Sequence, residues 1–189
     1  MTPLSPLMRA FRRFRRDRSG SLVVESLFII PVMALGMTGF FTFWDVFRTQ
    51  NQVQKATYSV ADMLSREMVP ATPAFLDGLE DILEYLVRED ARLRFTSIRR
   101  TSDGPTGATG LDVLWSYSPS NGMPVLTDTT VGTVEPALPM MAIGSNIVLL
   151  EVEVPYAPMT DILSVSLLTE RVAMRPRFLP TLCLTTTTC

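Results

Sequence analysis

GSLVVESLFIIPVMALGMTGFFTFW, residues 20–44, decides how this chain is organised. From Leu22 to Trp44 it runs 23 residues with Glu25 as the only ionised group. A helix rises 1.5 Å per residue, so ~20 apolar residues cross a ~30 Å hydrocarbon core. One membrane span is therefore predicted at residues 21–44. No second stretch of that length exists: Ile147 to Val154 is apolar but short, and it carries Glu151 and Glu153.

Charge around the span predicts its orientation. Before Gly20 stand six arginines (Arg9, Arg12, Arg13, Arg15, Arg16, Arg18) against one acid, Asp17. Residues 45–189 hold 11 basic and 17 acidic side chains. The positive-inside rule keeps the arginines in the cytoplasm and sends the larger part across. The near-neutral total of −2 conceals this asymmetry. Six arginines directly before a span are read as a topology signal, and no nucleic-acid partner is expected. A cleaved secretory signal fits less well, because the apolar stretch exceeds the usual ~7–15 residues and no small-residue cleavage site follows it.

Beyond the span, Val46, Val53, Ala56, Val60, Met63 and Leu64 keep helical spacing, so one helix is predicted from Leu22 to Met68. Thr72-Pro73 has the form of a cap followed by a first-turn proline. Behind it Phe75, Leu76, Leu79, Ile82, Leu83, Leu86 and Val87 form an apolar stripe, predicting a second helix over Pro73 to Glu89. The period then changes to two. Leu93 and Phe95; Leu111, Val113, Trp115 and Tyr117; and Val148, Leu150, Val152, Val154 and Tyr156 each read as one strand face. A last strand is expected at Arg171 to Arg175, while Asp161 to Leu168 fits helix or strand. Pro119 to Gly144, with four prolines and three glycines, reads as a long loop. The expected fold class is α+β: a long N-terminal helix, half in the membrane, and a second helix packed on a small, mostly antiparallel sheet. The expected segments are a basic leader at 1–20, the span at 21–44, an α+β domain at 45–180 and a Thr/Cys tail at 181–189.

Chemistry is sparse. The chain has no histidine, which argues against a zinc site and against Ser-His or Cys-His nucleophile pairs. Asp77, Glu80, Asp81 and Glu84 fall on polar faces of the second predicted helix, and Asp112, Glu151 and Glu153 lie opposite apolar strand faces; all are expected to be solvated. Gly104, Gly107 and Gly110 sit in a turn-rich connector, not in a phosphate-binding loop. No catalytic residue, cofactor, metal or small-molecule substrate is expected, and the chain is not read as an enzyme. Cys183 and Cys189 enclose a short tail, where a disulfide is chemically permitted outside the cytoplasm.

The sequence resembles a known family at two places. Arg-Asp-Arg-Ser-Gly (16–20), Glu25 and Pro31 are similar to the opening of the TadE/TadG-like proteins of tight-adherence pilus systems. Val-Pro-Tyr-Ala-Pro (154–158) and Ala-Met-Arg-Pro-Arg (173–177) are similar to their closing part. The resemblance covers roughly residues 12–65 and 147–177 and implies a pilin-like subunit in the bacterial inner membrane, its C-terminal domain periplasmic. It further implies processing by a prepilin peptidase between Gly20 and Ser21, and assembly with other pilin or pseudopilin subunits and the pilus machinery. Serine at 21 departs from the apolar residue that often follows the cut in pilin-type substrates.

Glycine at 20 lets the backbone extend into a protease cleft. Cutting there would leave an α-amino group on Ser21, largely protonated near pH 7 given a reference pKa of ~7.7–8. Glu25, about 6 Å deeper along the helix, is then expected to pair with the amine of a neighbouring subunit. Two other functions fit the same anchor: a minor pseudopilin of a related secretion system, and an uncleaved single-pass protein with a periplasmic binding or sensing domain.

Overall fold

The computed structural model describes residues 6–16, 20–102, 109–158, 160 and 164–187. The chain divides into two compact units, Met1–Trp44 and Asp45–Cys189. Helix α1 spans Pro6–Arg16, α2 Ser21–Ser65 and α3 Pro73–Val87. Strands β1 (Arg92–Ser102), β2 (Thr109–Tyr117), β3 (Asn146–Pro155) and β4 (Leu167–Met174) follow.

Helix α2 continues through Pro31, and every large apolar side chain from Leu22 to Trp44 is exposed. Its second part is amphipathic: Val53, Ala56, Val60, Ala61 and Leu64 are buried. The expected helix to Met68 ends at Ser65. There Arg66 and Glu67 donate backbone N–H groups to carbonyls three residues back, at 3.2 and 3.3 Å, tightening the last turn. The Arg177 N–H satisfies the Ser65 carbonyl at 2.8 Å. The α3 cap forms as read: the Thr72 hydroxyl accepts from the Phe75 N–H at 3.1 Å, with Pro73 at the first position. Arg88, with φ 64°, turns left-handed and closes the other end one residue after Val87.

The four strands form one antiparallel sheet of order β2-β1-β3-β4. One face carries Leu93, Phe95, Leu150, Val152, Val154, Leu168 and Val172 and packs against α3 and residues 53–64 of α2. Each fully buried leucine there stabilises the fold by ~1.5–3 kcal/mol. In β2 the expected single face splits. Ser97 pairs with Trp115 but Ile98 pairs with Val113, so Leu114 is an extra residue, a β-bulge. Trp115 and Tyr117 therefore join the helix-side core, while Leu111 and Val113 turn to the other face.

That other face is covered too. Ile98, Ile147 and Leu149 lie under Leu126, Val131, Val134 and Met141, which come from the expected loop. The segment from 119 to 145 is a packed lid with short 3₁₀ turns at Pro119–Asn121, Val131–Thr133 and Glu135–Ala137. The tail is tied in as well. Leu182 and Leu184 are buried; the Ala71 N–H donates to the Cys183 carbonyl at 2.8 Å, and the Thr185 N–H to the Ala71 carbonyl at 2.9 Å. The Trp115 indole donates to the Leu182 carbonyl at 2.7 Å.

Candidate functional site

The head of α2 carries the residues singled out by sequence. Gly20 is exposed, and its carbonyl accepts the Val24 N–H at 3.1 Å, so the Gly20–Ser21 peptide lies where the helix begins. A Cβ added at Gly20 would meet no atom within 4 Å. Among the described residues, packing gives no reason for glycine there. Glu25 is exposed one turn further on.

Other polar side chains of the apolar stretch are satisfied within the helix. Ser26 donates to the Val23 carbonyl at 2.9 Å, Thr38 to Ala34 at 2.8 Å and Thr42 to Thr38 at 2.8 Å. This back-bonding is how hydroxyls are accommodated where no water is present. Glu25 alone has neither hydrogen bond nor ion pair among the described residues. A carboxylate so placed needs water, headgroups or a partner from outside the chain. Gly20, Ser21 and Glu25, the residues expected to serve processing and assembly, thus all lie at the helix head. Asp17, Arg18 and Ser19 lie outside the described residues, as does Cys189; Cys183 is half-buried, and the expected pairing of the two cysteines is not described.

In the second unit several acids expected to be solvated are not. Glu151 is 1% exposed: both Arg94 and Arg171 bind it, through Nε at 2.8 Å and 3.0 Å. Arg94 also donates to the Pro124 carbonyl, fastening the lid to the sheet. The alternation along β3 was read with one solvent face, but the lid covers that face and so buries the carboxylate. Glu153 is partly covered and pairs with Arg92 at 3.1 Å. Glu80 is 8% exposed and accepts a bond from Ser120 at 3.2 Å. Burial pushes its carboxyl above the usual range, with Glu84, Asp77 and Asp81 adding repulsion against the Ser120 bond. Glu84 is half-buried and accepts from the Ala91 N–H at 3.1 Å, whereas Asp77, Asp81 and Asp112 are exposed as expected, Asp77 accepting from the Tyr117 hydroxyl at 2.8 Å.

Tyr156 was assigned only to a strand face; its hydroxyl donates to Asp45 at 2.6 Å. Burial and this bond push the phenol up to about 12. The long-range pairs of Tyr156 and Glu151 had no signal in local periodicity, because each joins residues far apart in sequence. Open grooves beside α2 and α3 are lined by Arg48, Gln52, Lys55, Tyr85, Leu86 and Arg88. No cluster of three or more His, Cys, Asp or Glu suited to a metal occurs among the described residues. Comparison of the chain with known protein families, curated proteins and solved structures finds no match.

Proposed function

We propose that this chain is a pseudopilin-like component of tight-adherence pilus assembly, held in the bacterial inner membrane and processed by a prepilin peptidase after Gly20. One long apolar helix near the N-terminus fits a single-pass membrane protein. The observation that carries the finer reading is the helix head. It presents an exposed glycine and, one turn deeper, a carboxylate, and among the described residues packing does not require the first and nothing pairs with the second. The arginines before it favour a cytoplasmic N-terminus and a periplasmic second unit. In this reading Glu25 meets the new amine of a neighbouring subunit and sets the register between them.

Intact mass and N-terminal sequencing of the membrane-extracted chain, with and without co-expressed prepilin peptidase, test it. A peptidase-dependent start at Ser21 is expected. A chain that begins near Met1 under both conditions removes processing and leaves the permanently anchored protein that the serine at position 21 favours. A start beyond Trp44 sinks both.

A further inference from the structure

Five of the arginines before the span, Arg9, Arg12, Arg13, Arg15 and Arg16, lie on α1, which also carries an apolar side. At 3.6 residues per turn, Phe11 and Phe14 in α1 fall on one side, Arg12, Arg13 and Arg16 on the opposite one, and Arg15 at the border next to Phe11. Phe11 and Phe14 are 75% and 82% exposed, so nothing described in this protein covers that side. No acidic residue occurs between Pro6 and Arg16. An isolated helix of 11 residues is marginal in water, and its stability must come from burying its apolar side. The missing partner has to be apolar beneath and negatively charged above.

An anionic lipid leaflet has that chemistry, and the chain holds α1 beside one. Three residues separate Arg16 from Gly20, so even fully extended the link spans no more than ~15 Å. We propose that α1 lies in the plane of the anionic leaflet, with Phe11 and Phe14 among the acyl chains and Arg12, Arg13 and Arg16 on lipid phosphates. Guanidinium groups bind phosphate oxygens in pairs, and phenylalanine and arginine on opposite faces are the mark of interfacial helices. The consequence for the helix head is positional: an anchor lying in the plane on one side and a span on the other hold Gly20 at headgroup depth. The inference rests on the membrane anchor and not on processing after Gly20.

Hydrogen exchange of the full-length chain in lipid nanodiscs tests it, comparing discs of phosphatidylglycerol mixed with phosphatidylcholine against phosphatidylcholine alone. Amides of residues 8–16 are expected to exchange at least about tenfold more slowly in the anionic discs. Phe11→Ser combined with Phe14→Ser should abolish that protection without changing exchange in residues 22–44 or in the sheet. Arg12→Gln with Arg16→Gln should remove the difference between the two disc types. Equal exchange of residues 8–16 in both discs, with 22–44 protected, overturns this inference alone. So does protection that appears only when another protein is added. Free exchange across 22–44 overturns it together with the membrane anchor.

Discussion

Glu25 and Glu151 are both carboxylates within apolar stretches, yet the molecule treats them in opposite ways. Glu151, in the middle of β3, is 1% exposed and held by Arg94 and Arg171. Glu25, at the head of α2, is exposed and has no partner among the described residues. A buried charge is tolerated only when paired and hydrogen-bonded. The second unit supplies its own counter-charges; the first leaves the requirement to its surroundings. One carboxylate is therefore part of a folded domain, and the other has no place in the described packing.

Breaking the satisfied carboxylate should have the largest effect. Glu151→Ala strands Arg94 at the sheet–lid junction and is expected to destabilise the second unit by about 3–5 kcal/mol. Urea unfolding of the detergent-solubilised chain, followed by tryptophan fluorescence through buried Trp115, measures this. Glu151→Leu with Arg94→Leu should cost much less, because the one charge left without its partner is Arg171, which is 46% exposed and can be solvated. A double variant as unstable as the single one would mean that the ion pair is not what holds the lid.

The same contrast runs along α2 itself. Leu64 is fully buried against the sheet, whereas Leu35 is 68% exposed. Leu64→Ala should cost about 2–5 kcal/mol in that assay. Leu35→Ala should change it by less than about 0.5 kcal/mol. Equal effects would mean that the apolar stretch folds against protein, and the lipid-facing reading of residues 22–44 would fall.

Tyr156 and Asp45 offer a finer probe at the start of the second unit. The phenol's pKa is raised from 10 to about 12, so the stabilisation it adds is fully present below pH 10 and lost as pH rises through about 12. Tyr156→Phe should lower stability by about 1–2 kcal/mol at neutral pH. The gap between the two proteins should then close between pH 10 and about 12, read as urea midpoints across that range. A gap that stays constant would show that the hydroxyl contributes packing alone.

Features governed by local rules were legible in the sequence. The Thr72-Pro73 cap, the α3 stripe and the change to period two before Leu93 depend on neighbours a few residues away, and each element formed close to its expected bounds. Features set by distant pairings were not. Leu126, Val131, Val134 and Met141 have no regular spacing, so a lid over the second sheet face looked like a loop. With that face facing solvent in the alternation alone, Glu151 reads as solvated with it. The bulge at Leu114 depends on the register with β1, which alternation in β2 alone cannot reveal. At the helix head, the sequence named Gly20 and Glu25 from local pattern; the structure adds that packing among the described residues explains neither.

Glu25→Ala should have the smallest effect on stability, and that is what makes it informative. With no partner to lose among the described residues, the variant should keep the urea midpoint of the second unit within about 0.5 kcal/mol. Insertion should be no worse, since removing a carboxylate from an apolar helix lowers its cost in the membrane. A shift beyond that range would mean Glu25 already has a structural role inside the protein, and the contrast with Glu151 would disappear. Under the proposed function, the loss instead appears between molecules: co-purification of the variant with its pilin or pseudopilin partners should fall by about tenfold or more, the range set by one charge-assisted pair of ~1.5–3 kcal/mol. Unchanged co-purification beside an unchanged midpoint would leave Glu25 as a carboxylate reaching the headgroups, with no part in assembly.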